Sequence, residues 1–435
     1  MSGLSRRGLL RGAVYGAGAA VTASALSGCG SLAGSVTSAD DIQYWTLFTG
    51  PDGVLMKTIT GAIEKRVPGL KVRTTVLDWG PPYYTKLAMA SAGGRAPDVA
   101  IMHLTRLAGY APGGLLDPWD TDLLAEYGLK QEDLNSTLVK RSLYQGDPYA
   151  IPLDTHPFIV FFDRDVLDKA DLLTTDGQLM PFESPQHALE MMDKLRRSGG
   201  KLGPVLGHVN DAAMGWRMFW TLFSQTGATF DLTGERAEID EDTAVEVVRF
   251  MADLTRDSRT MDLQTANAAF ATGRSPLIFA GEWDMATFKP TLKDRLGGSP
   301  FPTFYDRPAG AADSHSLVLP HQDNPDPERR RRTHRFVAEL VKSGLTWASA
   351  GHIPAYTPAV SSAAYARLSP QSQYAGAAKQ LALDPPAWFA GSGSDFQTRM
   401  CQALDPAFAG SSSAASAVRT MVSQINTLMA QPNPA

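Results

Sequence analysis

The chain has 435 residues, of which 43% are hydrophobic and 20% are charged. This length exceeds the roughly 250–300 residues at which a single core stops growing, so more than one lobe is expected. The 18 Phe, 12 Tyr and 8 Trp exclude a disordered chain, and the 39 glycines show no collagen-like repeat. A net charge of −5 at pH 7 fits nucleic acid poorly, and no nucleic-acid partner is expected.

The N-terminal residues read as an export signal. Residues 5–10 (SRRGLL) form a twin-arginine pattern, and residues 12–26 carry no charge. As a helix this uncharged stretch is shorter than the ~20 residues that cross a bilayer, which favours a signal peptide over a membrane span. Residues 26–29 (LSGC) resemble the lipobox of bacterial lipoproteins. The alternative is an ordinary cleavage site that happens to contain Cys29.

The lipobox resemblance implies lipidation of Cys29 by a diacylglyceryl group and an anchor on the outer face of the cytoplasmic membrane. Residues 1–28 would be the signal peptide, and residues 29–41, rich in Ser, Ala and Gly, a flexible tether. The other cysteine, Cys401, lies far away in an apparent helix, and a disulfide between the two is not expected.

The body of the chain begins with alternating strand and helix patterns. Strands are predicted at residues 42–48, 70–77 and 97–103, separated by helices at residues 54–66 and 83–92. This β-α-β-α-β succession is typical of a sheet covered by helices on both faces.

Later elements are harder to order, but several patterns are clear. They are a buried strand at 158–162, helices at 185–198, 212–225 and 243–256, strands at 275–280 and before Pro320, and a helix at 329–341. The four arginines 329–332 are interpreted as a solvated helix start rather than a binding patch. The body contains no low-complexity segment that would act as a linker between lobes. The chain is therefore expected to cross between its lobes more than once.

Several segments, in order, resemble extracellular solute-binding proteins of carbohydrate ABC importers, the maltose-binding-like group. The segments are residues 84–87 (YTKL), 90–93 (ASAG), 96–99 (APDV), 110–118 (YAPGGLLDP), 144–154 (YQGDPYAIPLD), 161–170 (FFDRDVLDKA), 270–274 (FATGR) and 281–283 (GEW). The chain departs from the family pattern at Asp163, where Asn is usual, and at Asp171, where Gly is usual.

The resemblance implies an α/β fold of two lobes, with hinge crossings and a ligand cleft between them. Lobe 1 would comprise residues 42–152 and 300–341, and lobe 2 residues 153–299 and 342–435. It implies a monomeric lipoprotein that captures a sugar or oligosaccharide and delivers it to ABC permease subunits. No cofactor is expected, and the eight scattered histidines, without cysteine companions, give no expectation of a metal site.

Sugars present apolar C–H faces and hydroxyl edges, which suit aromatic rings and polar side chains respectively. Candidate ligand-binding residues lie at predicted strand ends and beside the expected crossings. They are Phe48, Thr49, Trp79, His103, Asp154, His156, Glu282, Trp283 and Tyr356. Residues 50–53 (GPDG) are predicted to form a turn whose N–H groups face the ligand.

Several candidates have a structural alternative. Asp154 and His156 would instead fix the crossing, His103 would be an ordinary surface histidine, and Trp283 would belong to the core. Trp216 and Trp220, four apart in an apolar helix, are interpreted as core rather than cleft.

An enzyme is not expected. The sequence contains no Gly-x-Ser-x-Gly elbow, no phosphate-binding P-loop and no His-Glu-x-x-His motif. The alternative function is an exported glycoside-acting enzyme that uses two cleft carboxylates, for example Asp154 and Glu282. A surface lipoprotein without a closing cleft is a third possibility.

Overall fold

The computed structural model describes residues 41–199 and 202–433. Its strands are β1 (Ile42–Thr46), β2 (Val72–Val76), β3 (Val99–His103), β4 (Leu116–Asp117), β5 (Leu143–Tyr144), β6 (Asp147–Pro148), β7 (Ala150–Pro152), β8 (Asp154–Asp163), β9 (Phe230–Asp231), β10 (Glu238–Ile239), β11 (Leu277–Gly281), β12 (Leu296–Pro300), β13 (Gly310–Asp313), β14 (His315–Pro320), β15 (Ile353–Pro354) and β16 (Leu381–Leu383). The predicted signal peptide, the lipidation site Cys29 and the tether up to residue 40 lie outside the described residues.

The α-helices follow the same chain-order numbering. They are α1 (Gly50–Arg66), α2 (Pro81–Ala92), α3 (Thr121–Glu126), α4 (Ser136–Arg141), α5 (Arg164–Lys169), α6 (Pro185–Gly199), α7 (Met214–Thr226), α8 (Glu241–Leu254), α9 (Leu263–Ala271), α10 (Met285–Leu292), α11 (Pro327–Lys342), α12 (Gly344–Trp347), α13 (Thr357–Val360), α14 (Gln371–Tyr374), α15 (Asp395–Phe408) and α16 (Ala414–Met429).

The first sheet contains the predicted β-α-β-α-β succession. β1 pairs in parallel with β2 and β3, and β14 joins the other side of β3 in antiparallel orientation. Every residue of β3 is buried, which is the pattern of a strand covered on both faces. Tyr44 of β1 packs edge-on against Phe336 of α11, with ring centroids 5.5 Å apart. A helix from late in the chain therefore completes this core.

The second sheet is organised around β8. This strand pairs in antiparallel orientation with β11, β12, β13 and β15. All ten of its residues are buried, including Asp154, Thr155 and His156. The sequence predicted only the apolar part of β8, because its polar start is stabilised by partners that are distant in the chain.

The chain passes between the two sheets more than once, as predicted. β7 ends in the first sheet and β8 begins in the second, with Leu153 between them donating its N–H to the carbonyl of His315 at 2.8 Å. The chain returns from β13 in the second sheet to β14 in the first through Ser314. This return lies later than residue 300, where the second segment of lobe 1 was expected to begin, because β12 and β13 both pair with β8.

Helix α7 contributes to the core beside the second sheet. Trp216 is fully buried, and its indole N–H donates to Asp384 at 2.8 Å. Trp220 stacks on Trp216 with ring centroids 5.4 Å apart and is only partly buried, at the edge of the same core. The interpretation of this pair as core is confirmed. Cys401 is a free, buried thiol 3.4 Å from the backbone nitrogen of Trp216.

The predicted turn at residues 50–53 is instead the first turn of α1. Thr49 takes the extended backbone conformation of an N-cap, with φ −116° and ψ 177°, and Pro51 suits the first helical turn. The helix therefore begins directly after Thr49.

The basic run 329–332 begins helix α11, as predicted, but it is not simply solvated. The guanidinium of Arg329 lies 2.9 Å from Asp98, and that of Arg330 lies 2.8 Å from Asp117. Both carboxylates belong to the region of the first sheet, so these arginines attach α11 to it.

Candidate functional site

A cavity of about 250 Å³ opens between the ends of the two sheets. Trp79 follows β2, His103 ends β3, and residues 47–49 follow β1, so the carboxyl ends of three parallel strands form one wall. Ligand sites of α/β sheets lie at this edge. The lining residues are Leu47, Phe48, Thr49, Asp52, Trp79, His103, His156, Asp211, Ala213, Met214, Arg217, Leu263, Trp283 and His315.

Six of the nine predicted ligand-binding residues line this cavity. They are Phe48, Thr49, Trp79, His103, His156 and Trp283. Trp79 is 38% exposed, whereas Phe48 is buried against His315 and Trp347, with ring centroids 4.7 and 4.8 Å away. Trp79 is therefore available to stack on a bound molecule, and Phe48 mainly supports the wall.

Trp283 forms part of the opposite wall, after β11. The guanidinium of Arg217, on the first turn of α7, lies 4.8 Å from the centre of its ring. Such a contact holds the indole in place, and it brings a cationic group beside an aromatic one. A polar donor next to an aromatic surface suits a molecule with both hydroxyl edges and apolar faces.

Three histidines meet on the cavity wall. His103 and His315 are direct partners in the β3–β14 register, and His156 of β8 stacks on His315 with centroids 4.2 Å apart. Burial, followed by the nearby His315, lowers the pKa of His156 to about 3 and holds that of His103 well below its usual range. Both imidazoles are therefore neutral near pH 7.

Asp154 lies behind these rings, fully buried. Its Oδ2 accepts from Trp347 Nε1 at 2.7 Å and lies 2.9 Å from His315 Nδ1, while its Oδ1 lies 3.3 Å from His156 Nδ1. Burial opposes ionisation, but these histidines hold the pKa of the carboxyl well below its usual range. Asp154 therefore orients the cavity wall and does not form it.

Glu282 is also fully buried, beside His352. His352 Nδ1 lies 2.9 Å from Glu282 Oε1, and His352 Nε2 lies 3.2 Å from Asp52 Oδ2. Burial alone would lower the pKa of His352, but the surrounding carboxylates raise it well above its usual range. Burial raises the pKa of Glu282 to about 8, against the effect of His352. The structure thus places Glu282 behind the wall formed by its neighbour Trp283.

Tyr356 is not brought to the cavity. The preceding Ala355 donates its N–H to Leu153 and belongs to the core of the first sheet. Tyr356 itself forms a bridge with Leu134, away from the cleft histidines. Tyr356 therefore packs, partly buried, against the core of the first sheet.

A larger groove of about 710 Å³ runs between α1 and the exposed edge strand β2. It is lined mainly by aliphatic and threonine side chains, including Val54, Met56, Thr74 and Val76. The smaller cavity concentrates the aromatic rings and titratable groups, and it is the candidate site.

A family model described as bacterial extracellular solute-binding protein matches residues 49–339. The chain belongs to this family. Its members bind solutes and are not enzymes, which confirms the expected class. Asp154 and Glu282, the carboxylates named for the enzyme alternative, are both buried and do not line the cavity. Membership of this extracellular family implies that the protein is exported.

Solved structures of other solute-binding proteins have the same two-lobed fold. The GacH receptor of Streptomyces glaucescens, solved unliganded and with acarbose, is 17% identical with a TM-score of 0.74, covering 89% of this chain and 98% of its own. Maltose-bound MalE3 of T. maritima is 16% identical with a TM-score of 0.73, and the match covers 89% of this chain and 99% of MalE3. UgpB of Mycobacterium tuberculosis, in complex with glycerophosphocholine, is 16% identical with a TM-score of 0.72, covering 90% and 98%.

Comparison with curated protein sequences gives no match. Within residues 41–199 and 202–433, no helix has both the length and the apolar character to span a bilayer.

The sequence prediction missed several residues that line the site, notably His315, Arg217, Asp211 and Asp52. Arg217 carried a usable signal, since it is the charged residue in the apolar helix α7. His315 carried little, because the residues that reveal its role, His103 and Asp154, are far from it in the chain.

Proposed function

We propose that this solute-binding protein captures a sugar outside the cell and delivers it to the permease subunits of an ABC importer. The observation that carries the proposal is the pairing of two partly exposed indoles, Trp79 and Trp283, with polar side chains around one cavity. Indole faces suit the C–H faces of a sugar ring. Asp52, Asp211 and Arg217 supply acceptors and donors for its hydroxyl groups.

The structural neighbours support this choice of ligand class. GacH and MalE3 were solved with acarbose and maltose respectively. The volume of about 250 Å³ is slightly below the roughly 300–1,000 Å³ of typical ligand pockets, which favours a mono- or disaccharide over a long oligosaccharide.

The proposal includes closure of two lobes over the ligand. Lobe 1 would contain the first sheet, within residues 42–152 and the returning segment that ends near 341. Lobe 2 would contain the second sheet, within residues 153–299 and 342–435, except that Trp347 packs into the core of the first sheet. Since β13 pairs with β8, we assign the hinge of the returning segment to Ser314. Residues from both sheets line the cavity, so a bound sugar would contact both lobes only when they are close.

We also propose that the mature protein is a monomeric lipoprotein, anchored through Cys29 on the outer face of the cytoplasmic membrane. The support is the order of twin arginines, apolar stretch and lipobox in residues 5–29. Residues 29–41 would tether the binding body to the membrane, near the permease.

The direct test is a thermal-shift screen over mono- and disaccharides, followed by calorimetric titration of each hit. A ligand that binds only the folded state raises the melting midpoint by mass action. Chromatography of the recovered sugar should give it back intact. No response to any sugar would contradict the proposal, and cleavage of the sugar would favour the glycoside-acting alternative.

A further inference from the structure

The three histidines of the cavity wall present a set of nitrogen ligands. One ring nitrogen from each of His103, His156 and His315 lies within 4.8 Å of the other two. All three side chains are buried, and they come from β3, β8 and β14, which belong to both sheets. The set therefore sits on rigid elements and not on mobile loops.

The Nδ1 atom of each ring is already held. His103 Nδ1 lies 2.6 Å from the hydroxyl of Tyr84, and the Nδ1 atoms of His156 and His315 contact the two oxygens of Asp154 at 3.3 and 2.9 Å. The Nε2 atoms remain, and that of His156 is buried without a hydrogen-bond partner among the described residues. An imidazole that ligates a metal typically has its other nitrogen bonded to a carboxylate or another polar group in this way.

We propose that His103, His156 and His315 bind a divalent transition-metal ion of the zinc class through their Nε2 atoms. Three imidazole nitrogen ligands suit Zn²⁺ and its neighbours Co²⁺, Ni²⁺ and Cu²⁺. The fourth coordination position faces the cavity, because all three residues line it. The ion would offer that position to water or to an oxygen of the bound solute.

Binding requires a small adjustment of the rings. Zinc bonds to nitrogen at about 2.0–2.1 Å, so tetrahedral ligands lie about 3.3 Å from one another. Here one nitrogen of each ring, Nδ1 or Nε2, lies within 4.8 Å of the others, and the planes of His156 and His315 are 23° apart. The two stacked rings must splay so that their lone pairs converge, which rotation about side-chain bonds provides.

A second group of possible ligands does not form such a site. Asp154, His315 and His352 also lie close together, but a carboxylate stands between the rings. His352 uses Nε2 toward Asp52 and Nδ1 toward Glu282. His352 thus already faces a carboxyl group on each side of its ring, so the metal is assigned to the first set alone.

The test uses tag-free protein stripped with a chelator, titrated with Zn²⁺ and Co²⁺ in the absence of sugar. We expect one ion per chain by calorimetry, and a visible Co²⁺ absorption band typical of tetrahedral coordination. His156→Gln and His315→Gln should each weaken Zn²⁺ binding by at least about tenfold and abolish the Co²⁺ band.

His208→Gln is the matched control. His208 is equally buried, its Nδ1 lies 3.4 Å from Asp405, and its Nε2 also lacks a partner among the described residues, but it lies outside the three-histidine set. His208→Gln should therefore bind Zn²⁺ with the affinity of wild type. Absence of stoichiometric binding by wild type, or equal affinity of wild type and His156→Gln, would overturn the metal site. Because no sugar is present, these results are independent of the proposed function.

Discussion

Trp283 folds back over Gly281, two residues before it, so closely that a Cβ atom on Gly281 would overlap the indole. Gly281 has φ −79° and ψ 153°, a conformation open to any residue. The glycine is therefore needed for the space it leaves and not for its backbone freedom. The indole keeps its place on the cavity wall between this glycine and the guanidinium of Arg217.

Replacing Trp283 by alanine should weaken sugar binding by about 2–4 kcal/mol, or roughly thirty- to a thousandfold, because an aromatic stack and its buried area are lost. Calorimetric titration measures the loss. Trp220→Ala is the control, since Trp220 packs on the core tryptophan Trp216 and should lower the melting midpoint while leaving affinity unchanged. If Trp283→Ala bound normally but melted early, Trp283 would be a core residue.

Gly281→Ala should displace the indole of Trp283 with little change in backbone geometry. The affinity for the same sugar should fall by about tenfold. Gly61→Ala provides a comparison, because a Cβ at Gly61, inside α1, meets nothing within 4 Å. That variant should gain about 0.5–1 kcal/mol of stability and keep its affinity. Equal affinities for the two variants would argue against the role of Gly281.

Asp284 should make stability depend on pH. It is 8% exposed, its Oδ2 has no hydrogen-bond partner among the described residues, and burial raises its pKa to about 7. The folded state therefore keeps a proton that the unfolded state releases near pH 4, and stability falls as the pH rises from about 4 to 7.

Asp284→Asn removes this ionisation. The free energy of unfolding of the variant, relative to that of wild type, should be higher at pH 8 than at pH 5. The change between the two pH values should be of the order of a few kcal/mol at most. Urea unfolding at the two pH values measures it. An identical difference at both pH values would show that Asp284 is already ionised at pH 5.

Cys29→Ala should release the protein from membranes, because the thiol is the expected site of lipidation. Cell fractionation and immunoblotting give the distribution. Cys401→Ala is the control, since Cys401 is a buried thiol in α15 and its loss leaves the anchor intact. Retention of Cys29→Ala in the membrane fraction would contradict the lipobox interpretation.

Sugar binding should make the protein more compact, because the ligand contacts residues from both sheets. Small-angle scattering with and without saturating sugar would measure this decrease in the radius of gyration. At a sugar concentration that half-saturates wild type, the radius of gyration of Trp283→Ala should not change. Unchanged scattering of wild type at saturation would contradict a hinged closure.

The sequence predicted much of the first sheet and six residues of the cavity wall. Short β-prone runs alternating with helical patterns located β1, β2 and β3, and the ends of those strands gave Phe48, Trp79 and His103 directly. The sequence pattern is sufficient here because the residues that follow parallel strands all lie at the carboxyl edge of the sheet.

The rest depended on contacts distant in the chain. His156 and Asp154 were recognised from a short polar segment, yet Asp154 proved to be buried because His315 and Trp347 both bond to it. Tyr356 was expected in the cleft because it follows a crossing, but hydrogen bonding of the preceding Ala355 to Leu153 turns it away. Neither outcome is encoded in neighbouring residues.

Asp154 sits where β8 begins, directly after the chain leaves the first sheet, and it bonds across to His315 and Trp347 of the other half of the molecule. Its partners His315 and Trp347 belong to the half that contains β14, while its own backbone belongs to β8. Any rotation of one half against the other keeps these bonds only if its axis runs close to this carboxylate. In the proposed closure Asp154 would thus lie at the pivot, and a change there would alter the opening angle of the cleft more than the chemistry of its walls.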